Sequence, residues 1–437
     1  MILKRYWKLL SIVLVIVVVL ATFYINSALA SKQYPELVMK TISGDEAAVE
    51  GLTLLGDYSD PTNLHGTFKV SLDGISYKEE QSYFKKIDPT TFTMDALTTL
   101  RDSYRNFMRG KQGDPALYFE DDSFVAYATI ESKRNFTSVY QENFTFDITV
   151  LNKESEETTS LKINVPDQRN VSFMEVWDVQ VIDGNLQVIT RTEAYRSQEN
   201  ETSLRMYIFD LEAEQLIGDE TISNLSIADI EASNGWYNIA DLNNRDQIGK
   251  QKYLLFVEEK FIESTVNEAE DMVSNQVKEN GEYVTQSVVN TTTERKVFVY
   301  DVEAKERTEL ELSEEIKAAI QTDSFYSTAT SSIYNGTALF TVLTETGLKV
   351  VGYDMDTQAE VINQTFELPY EDVFNSTIRI VDNRLYVVEM SNNEQNPMNI
   401  YVGDIDSGEL LYKGEIEMKN LPKNVEEILF VYDMIIN

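Results

Sequence analysis

Short alternations of apolar and polar residues, broken by polar turns, run through most of the chain. The clearest set is Thr377–Met418, which reads as four strands in succession: Thr377–Val381, Leu385–Met390, Asn399–Asp404 and Leu411–Met418. A period of two sends one side of each strand into a core and the other toward solvent. Asp382-Asn383 joins the first pair of strands and Asp406-Ser407-Gly408 joins the last pair.

Two signatures carry this unit backwards. A strand ending in an aromatic residue or Gly, then Asp, an apolar residue and an acid, occurs at Phe209-Asp210-Leu211-Glu212, Tyr300-Asp301-Val302-Glu303, Tyr353-Asp354-Met355-Asp356 and Gly403-Asp404-Ile405-Asp406. The Asp side chain can accept hydrogen bonds from turn amides two residues on, which closes a hairpin between third and fourth strands. Ahead of it stands a hairpin between first and second strands, with Asp183-Gly184, Asn335-Gly336 or Asp382-Asn383 at its tip. Asp-Gly and Asn-Gly suit that place because both central residues tolerate positive φ. The steps Asp354 to Asp404 and Asp301 to Asp354 are 50 and 53 residues, while Asp210 to Asp301 is 91, which implies an insertion.

On this register the units are Ala116–Val165, Val171–Ile222, Trp236–Glu315, Phe325–Leu368 and Thr377–Met418. The first lacks the Asp signature. Leu52–Asp57, Gly66–Leu72 and Tyr77–Ile87 read as second, third and fourth strands without a first, and Glu427–Asp433 is a strand without a unit. Pairing the C-terminal strand with the N-terminal sheet leaves no open edge. The expected fold is therefore all-β: a β-propeller of about six four-stranded blades, with seven as the alternative, closed by N- and C-terminal strands. The aromatic-Asp-apolar-acid turn, recurring about every 50 residues over Ala116–Met418, resembles the divergent repeats of the YVTN and quinoprotein-like propeller superfamily. That resemblance implies a fold and no site residues.

One apolar run stands apart. Lys4, Arg5 and Lys8 flank the start of Leu9–Ala30, which is 22 residues long, against the roughly 20 that a helix needs to span a bilayer. Basic charge ahead of the run predicts a cytoplasmic N-terminus at residues 1–8, a transmembrane signal-anchor at 9–30, a juxtamembrane linker at 31–50 and an extracytoplasmic body at 51–437. The competing reading is a signal peptide, since Ala28-Leu29-Ala30 has the small-x-small form of a cleavage site, and the protein would then be secreted after cleavage near Ala30.

Two segments depart from the repeat. Met94–Arg109, within a helical insertion at 93–110, sets Leu97, Leu100, Tyr104 and Phe107/Met108 on one stripe. Arg101, Arg105 and Arg109 recur every four residues with Lys111 just beyond, so they stack on one helix face. This basic row is a candidate surface for phosphate-rich envelope polymers or lipid headgroups; the alternative is that the arginines pair with local acids such as Asp102. The second segment, 263–295, reads as a hairpin insertion turning at Asn280-Gly281, either a contact arm or a tolerated loop.

Composition narrows the chemistry. With 73 acidic and 37 basic residues the net charge is −36, which works against binding nucleic acid. The absence of cysteine removes disulfides, thiol catalysis and lipid attachment, and in an exported chain fits a bacterial envelope protein. His65 is the one histidine and has no companions at metal-ligand spacing. Neither a Gly-rich phosphate loop nor a Gly-x-Ser-x-Gly elbow occurs. Acidic clusters such as Glu258-Glu259 are what 73 acids produce by chance, and Asp241–Asp246 only faintly resembles a calcium loop. The expectation is a membrane-tethered binding, scaffold or sensing module without catalysis, cofactor or metal, whose partner is a protein or envelope polymer. The alternatives are an envelope polysaccharide hydrolase using carboxylates and an inert surface protein.

Overall fold

The computed structural model describes residues 7–8, 11–22, 34–60, 64–81, 95–134, 141–168, 171–196, 199–226, 235–243, 248–265, 277–279, 282–284, 289–322, 331–344, 347–368, 376–389, 398–419 and 428–436. By internal packing the chain divides into two compact units, one of residues 1–102, 343–349 and 364–437, the other of residues 103–342 and 350–363. Strands are numbered in chain order.

The first unit contains two sheets. In one, β2 (Leu52–Ser59), β3 (His65–Ser71) and β4 (Gly74–Tyr77) are joined by the C-terminal strand β27 (Ile428–Ile436), in the order β27-β2-β3-β4. The tail supplies the strand missing ahead of β2, with Leu52 opposite Ile436 and Ser59 opposite Ile428. The other sheet is built from β1 (Glu36–Gly44), β23 (Ser376–Val381), β24 (Arg384–Glu389), β25 (Met398–Asp404) and β26 (Leu410–Lys419), in the order β1-β26-β25-β24-β23. Alternate residues of these strands, among them Leu54, Phe68, Val70, Val388, Ile400, Val402, Val431 and Met434, share one core. Burying each such side chain stabilises the fold by roughly 1.5–3 kcal/mol.

The second unit holds three complete sheets. Their strands are β5 (Tyr118–Glu120), β6 (Phe124–Arg134), β7 (Gln141–Asn152) and β8 (Thr158–Asn164); β9 (Val171–Ile182), β10 (Asn185–Arg196), β11 (Glu199–Asp210) and β12 (Gln215–Ser226); and β13 (Gly235–Asp241), β14 (Tyr253–Thr265), β17 (Val289–Asp301) and β18 (Glu306–Glu309). A short pair, β15 (Val277–Glu279) and β16 (Glu282–Val284), lies between β14 and β17 in sequence. A further sheet of β19 (Ser331–Tyr334), β20 (Thr337–Thr344), β21 (Gly347–Asp354) and β22 (Glu360–Glu367) belongs mostly to this unit. The described chain is thus all-β with six blade-like antiparallel sheets, five of four strands and one of five.

The recurring turn has a common construction. Asp210 Oδ1 accepts from the N–H groups of Glu212 and Ala213, and Asp301 Oδ1 from those of Glu303 and Ala304. Asp354 Oδ1 accepts from the Thr357 N–H and hydroxyl, and Asp404 Oδ1 from the Ser407 N–H and hydroxyl. The fourth residue after each Asp lies at positive φ: Glu214, Lys305, Gln358 and Gly408. The first repeat, which lacks the Asp, builds the same turn with Asn152, whose Oδ1 accepts from Glu154 and Ser155 while Glu156 takes φ 58°. The turn needs an acceptor oxygen and no charge, so Asn serves. The residue after the acceptor then anchors the turn to its own sheet. Lys153, Val302, Met355 and Ile405 donate their N–H groups to the carbonyls of Ser123, Lys252, Gly336 and Asn383, each just ahead of a second strand.

Several expectations are corrected. Residues 11–22 are helical and exposed. Among the described residues no helix is long and apolar enough to cross a membrane, which overturns the single-pass anchor at 9–30 and the localisation built on it. Cleavage near Ala30 lies outside the described residues. The expected linker at 31–50 instead contains β1, whose Leu37 and Met39 are buried against β26. The fourth strand of the N-terminal sheet is Gly74–Tyr77 rather than Tyr77–Ile87, followed by a short 3-10 turn, Lys78–Glu80. The helix expected over Met94–Arg109 is two pieces, α1 (Asp95–Ser103) and α2 (Arg105–Met108), interrupted at Tyr104 with ψ 52°. The ladder between β14 and β17 continues to Thr265 opposite Val289, so strands run into what was expected as an insertion at 263–295. A helix, α3 (Glu314–Ile320), buries Ile316 and Ile320 and was not anticipated.

In the fourth copy of the Asp signature, glycine replaces the aromatic residue, and packing explains it. A Cβ on Gly403 would collide with the Phe366 ring, which fills that space. Gly403→Ala is expected to lower stability by about 1–3 kcal/mol in denaturant unfolding, and by clearly less in a Phe366→Ala background. Equal losses in both backgrounds would show that the ring does not set the limit. Asp404→Ala, which removes the acceptor of the two turn bonds from Ser407 and of a longer one from Asn383, is expected to cost about 1 kcal/mol.

Candidate functional site

Register brings two rows of side chains together on one face of the β13-β14-β17-β18 sheet. Asn238, Glu259 and Arg295 lie directly opposite one another across β13, β14 and β17; two residues away, Trp236 lies opposite Phe261. Strand period places both rows on the same side. The Trp236 and Phe261 rings stack with centroids 4.7 Å apart and planes within 10°. Such a cross-strand pair holds the indole in one orientation, yet Trp236 stays 41% exposed.

The polar row is buried at its centre. Glu259 and Arg295 are 1% and 6% exposed, and Arg295 Nε donates to Glu259 Oε1 at 2.6 Å. Arg295 Nη1 also donates to the carbonyls of Ile320 and Thr322 at 2.9 and 2.8 Å. These lie at the C-terminal end of α3, where unsatisfied carbonyls favour a cation. The Gln321 side chain accepts from the Arg295 N–H and donates to its carbonyl. In the other direction, Asn238 Nδ2 donates to Glu259 Oε2 at 2.7 Å, and Asn238 Oδ1 accepts from Arg191 Nη2 at 2.9 Å. Arg191, on β10, pairs with Glu193 at 2.6 Å and with Glu175 at 3.5 Å. Glu175 in turn accepts from the Trp177 indole N–H at 3.0 Å.

A chain of charge-assisted hydrogen bonds therefore runs from the end of α3 to Arg191, and there it opens. Arg191, Glu193, Glu201, Thr202, Trp236, Tyr237, Asn238 and Phe261 line a cavity of about 300 Å³ between the β9–β12 and β13–β18 sheets. The Thr202 hydroxyl donates to the Tyr237 carbonyl across it, at 3.5 Å. Arg191 Nε is buried and has no hydrogen-bond partner. The cleft thus offers a flat aromatic floor, one guanidinium, two glutamates, an amide and a hydroxyl, set on strands and tied to a buried ion pair.

The residues expected to form a surface lie elsewhere. Arg101 is in the last turn of α1, Arg105 opens α2, and Arg109 has left the helix with ψ 122°. With the helix interrupted at Tyr104, the row is not carried by one continuous face. The Lys111 ammonium packs over the Phe107 and Tyr127 rings, 4.3 and 5.2 Å from their centroids, and its partial burial lowers its pKa. His65 is exposed at the start of β3. Asp241 Oδ1 accepts from the Asn243 N–H and side-chain amide; residues 244–247 of that loop lie outside the described residues, as does the Asn280-Gly281 turn. Among the described residues, no three His, Cys, Asp or Glu side chains are grouped to hold a metal ion.

In the sequence alone Glu259 is one acid among 73 and Trp236 marks only the start of a repeat. The available signal was a charged pair, Glu258-Glu259 and Arg295-Lys296, inside two strongly apolar strands. A buried carboxylate apart from the cleft is also informative. Asp178, on β9, receives bonds of 3.1 Å to both oxygens from Gln180 Nε2, and Gln180 is held by the Gly249 carbonyl and the Gln251 N–H. Burial, and to a lesser degree the charge of Asp241, pushes its carboxyl up to about 7.

No family model and no curated protein sequence matches the chain. Similar solved structures include a Pyrococcus horikoshii acylaminoacyl peptidase, at 12% identity and a TM-score of 0.29, over 67% of this chain and 38% of that one. A Synechocystis apocarotenoid oxygenase variant is similar at 6% identity and 0.35, over 93% and 99% of the two chains. A Mycobacterium tuberculosis puromycin-hydrolyzing peptidase is similar at 8% identity and 0.27, over 91% and 55%. The chain spans less than two thirds of the length of either peptidase. These structures do not single out the YVTN and quinoprotein-like group. All three are named as enzymes, so the expectation that this chain is not an enzyme is withdrawn; with TM-scores this low they carry no argument for a particular reaction.

Arg295→Met, which leaves Glu259 buried without its cation, is expected to destabilise by about 3–5 kcal/mol, while the double change Glu259→Leu with Arg295→Met costs much less. Chemical unfolding of the two variants beside wild type checks this. Folded Asp178 holds its proton to higher pH than the unfolded chain, where Asp titrates near ~3.9. Between those values folding takes up a proton, so stability falls as pH rises from about 4 to about 7, by up to ~1.4 kcal/mol per unit from this group. Asp178→Asn should remove that slope, and unfolding curves for wild type and variant at several pH values should converge toward the acid end. Parallel pH profiles would rule the assignment out.

Proposed function

We propose that this chain is a recognition module, built as a six-bladed β-propeller, that binds its ligand in the Trp236–Phe261 cleft. One observation carries the reading: an indole clamped flat by Phe261 yet 41% exposed, beside polar side chains fixed through Arg191 and Asn238 to a buried ion pair. An exposed aromatic surface with pre-oriented polar groups around it suits ligand binding, because little ordering entropy is lost when the ligand arrives. The six blade-like sheets and the repeated Asp turn support the propeller assignment, and resemblance to YVTN and quinoprotein-like repeats remains a proposal at this level. Nucleic acid is disfavoured, since Glu193 and Glu201 outnumber Arg191 at the cleft in a chain of net charge −36.

A second reading follows from those two glutamates sharing one cavity: hydrolysis of a glycosidic bond by a carboxylate pair. Release of reducing ends from a polysaccharide, abolished by both Glu193→Gln and Glu201→Gln, would favour it. The recognition reading is tested by screening neutral sugars, short peptides and nucleotides by ligand-observed NMR against wild type, Trp236→Ala and Arg191→Lys. Wild-type hits should weaken by about tenfold or more in both variants, with thermal unfolding still cooperative. Hits that survive both substitutions unchanged would place recognition elsewhere.

A further inference from the structure

We infer that the ligand of this cleft is a neutral saccharide, with one pyranose face stacked on Trp236; this rests on the recognition reading above. The argument from shape begins with the platform. Phe261 lies parallel to the indole at 4.7 Å, and the stacked pair gives the cavity it lines a flat aromatic surface. One face of a pyranose ring carries axial C–H bonds and is apolar and flat, while its rim carries hydroxyls. That combination matches an aromatic face with polar groups around it. A cavity of about 300 Å³ is at the small end of ligand sites (~300–1,000 Å³), suiting a sugar unit or the end of a short chain.

Charge then selects among ligands. Arg191, the cation of the cleft, is already paired with Glu193 at 2.6 Å and bonded to Asn238 at 2.9 Å. With Glu201 also at the wall, a phosphate, sulfate or uronate would meet more negative than positive charge. Hydroxyl groups are both donors and acceptors, so they can give to Glu193 or Glu201 at the cavity wall without displacing the ion pair. An extended peptide would most simply add to the free edge of β13, but the Tyr237 carbonyl on that strand already accepts from the Thr202 hydroxyl. The edge is partly committed, which favours a ligand read through side chains.

The test uses the full chain and isothermal titration calorimetry, with cellotetraose, maltotetraose and chitotetraose as neutral probes, tetragalacturonate as an anionic one and tetraglycine as a peptide. Saturation-transfer NMR identifies the ligand protons in contact. At least one neutral tetrasaccharide should bind, with the strongest saturation on one face of a ring. Trp236→Ala should weaken it about tenfold or more, Trp236→Phe much less, and tetragalacturonate should not bind. Glu201→Gln provides a second variant should Trp236→Ala fail to fold, and is expected to weaken the same saccharide several-fold. Binding of tetraglycine or tetragalacturonate, lost in Trp236→Ala, with no neutral saccharide bound, would overturn the saccharide assignment and leave the recognition reading standing. Saccharide binding unchanged in both Trp236→Ala and Glu201→Gln would overturn the cleft as its site. Failure of every probe, in a protein whose other screening hits ignore Trp236, would overturn both readings.

Discussion

A side-chain oxygen at the end of the third strand is the constraint that five of the six blade-like sheets share. Asp210, Asp301, Asp354 and Asp404 each use one carboxylate oxygen to gather two donors from the next three residues, and Asn152 does the same without charge. This satisfies amides that the ladder leaves unpaired and lets the chain reverse through one residue at positive φ. The residue after the acceptor ties the turn to the preceding hairpin of the same sheet, as Met355 does to Gly336. Hence the aromatic-Asp-apolar-acid string recurs: each of its central members has a bond or a buried contact to provide.

The candidate cleft depends on a different interaction. Glu259 and Arg295 are desolvated, and such a pair contributes little net stability by itself. Its effect is positional. With both oxygens of Glu259 engaged, Asn238 is held with its carbonyl toward Arg191, and Arg295 is held by the end of α3. Arg191 is thereby placed at the cavity wall by residues on three elements distant in sequence. In a protein of charge −36, this sets one well-held cation beside two glutamates at the cavity wall.

Hydropathy over Leu9–Ala30 satisfies the length rule for a membrane span, yet among the described residues no helix is long and apolar enough to cross a membrane. Within the expected linker at 31–50, Glu36–Gly44 forms a strand because the β26 edge is there to pair with it.

Local chemistry determined a good deal. Positive φ at Asp183, Gly184, Asn335 and Gly336, the acceptor turns, and the alternation of buried residues along β26 all follow from interactions within a few residues, so they are legible in the chain itself. The pairing of the tail with β2 was legible too, because an unpaired strand at each end leaves one economical partner. Tertiary structure alone decided that Asn238, Glu259 and Arg295 form one row, that Phe261 lies under Trp236, and that Arg191 reaches them. Those contacts join residues tens of positions apart, and a one-residue change of strand register would turn every one of them to the opposite face.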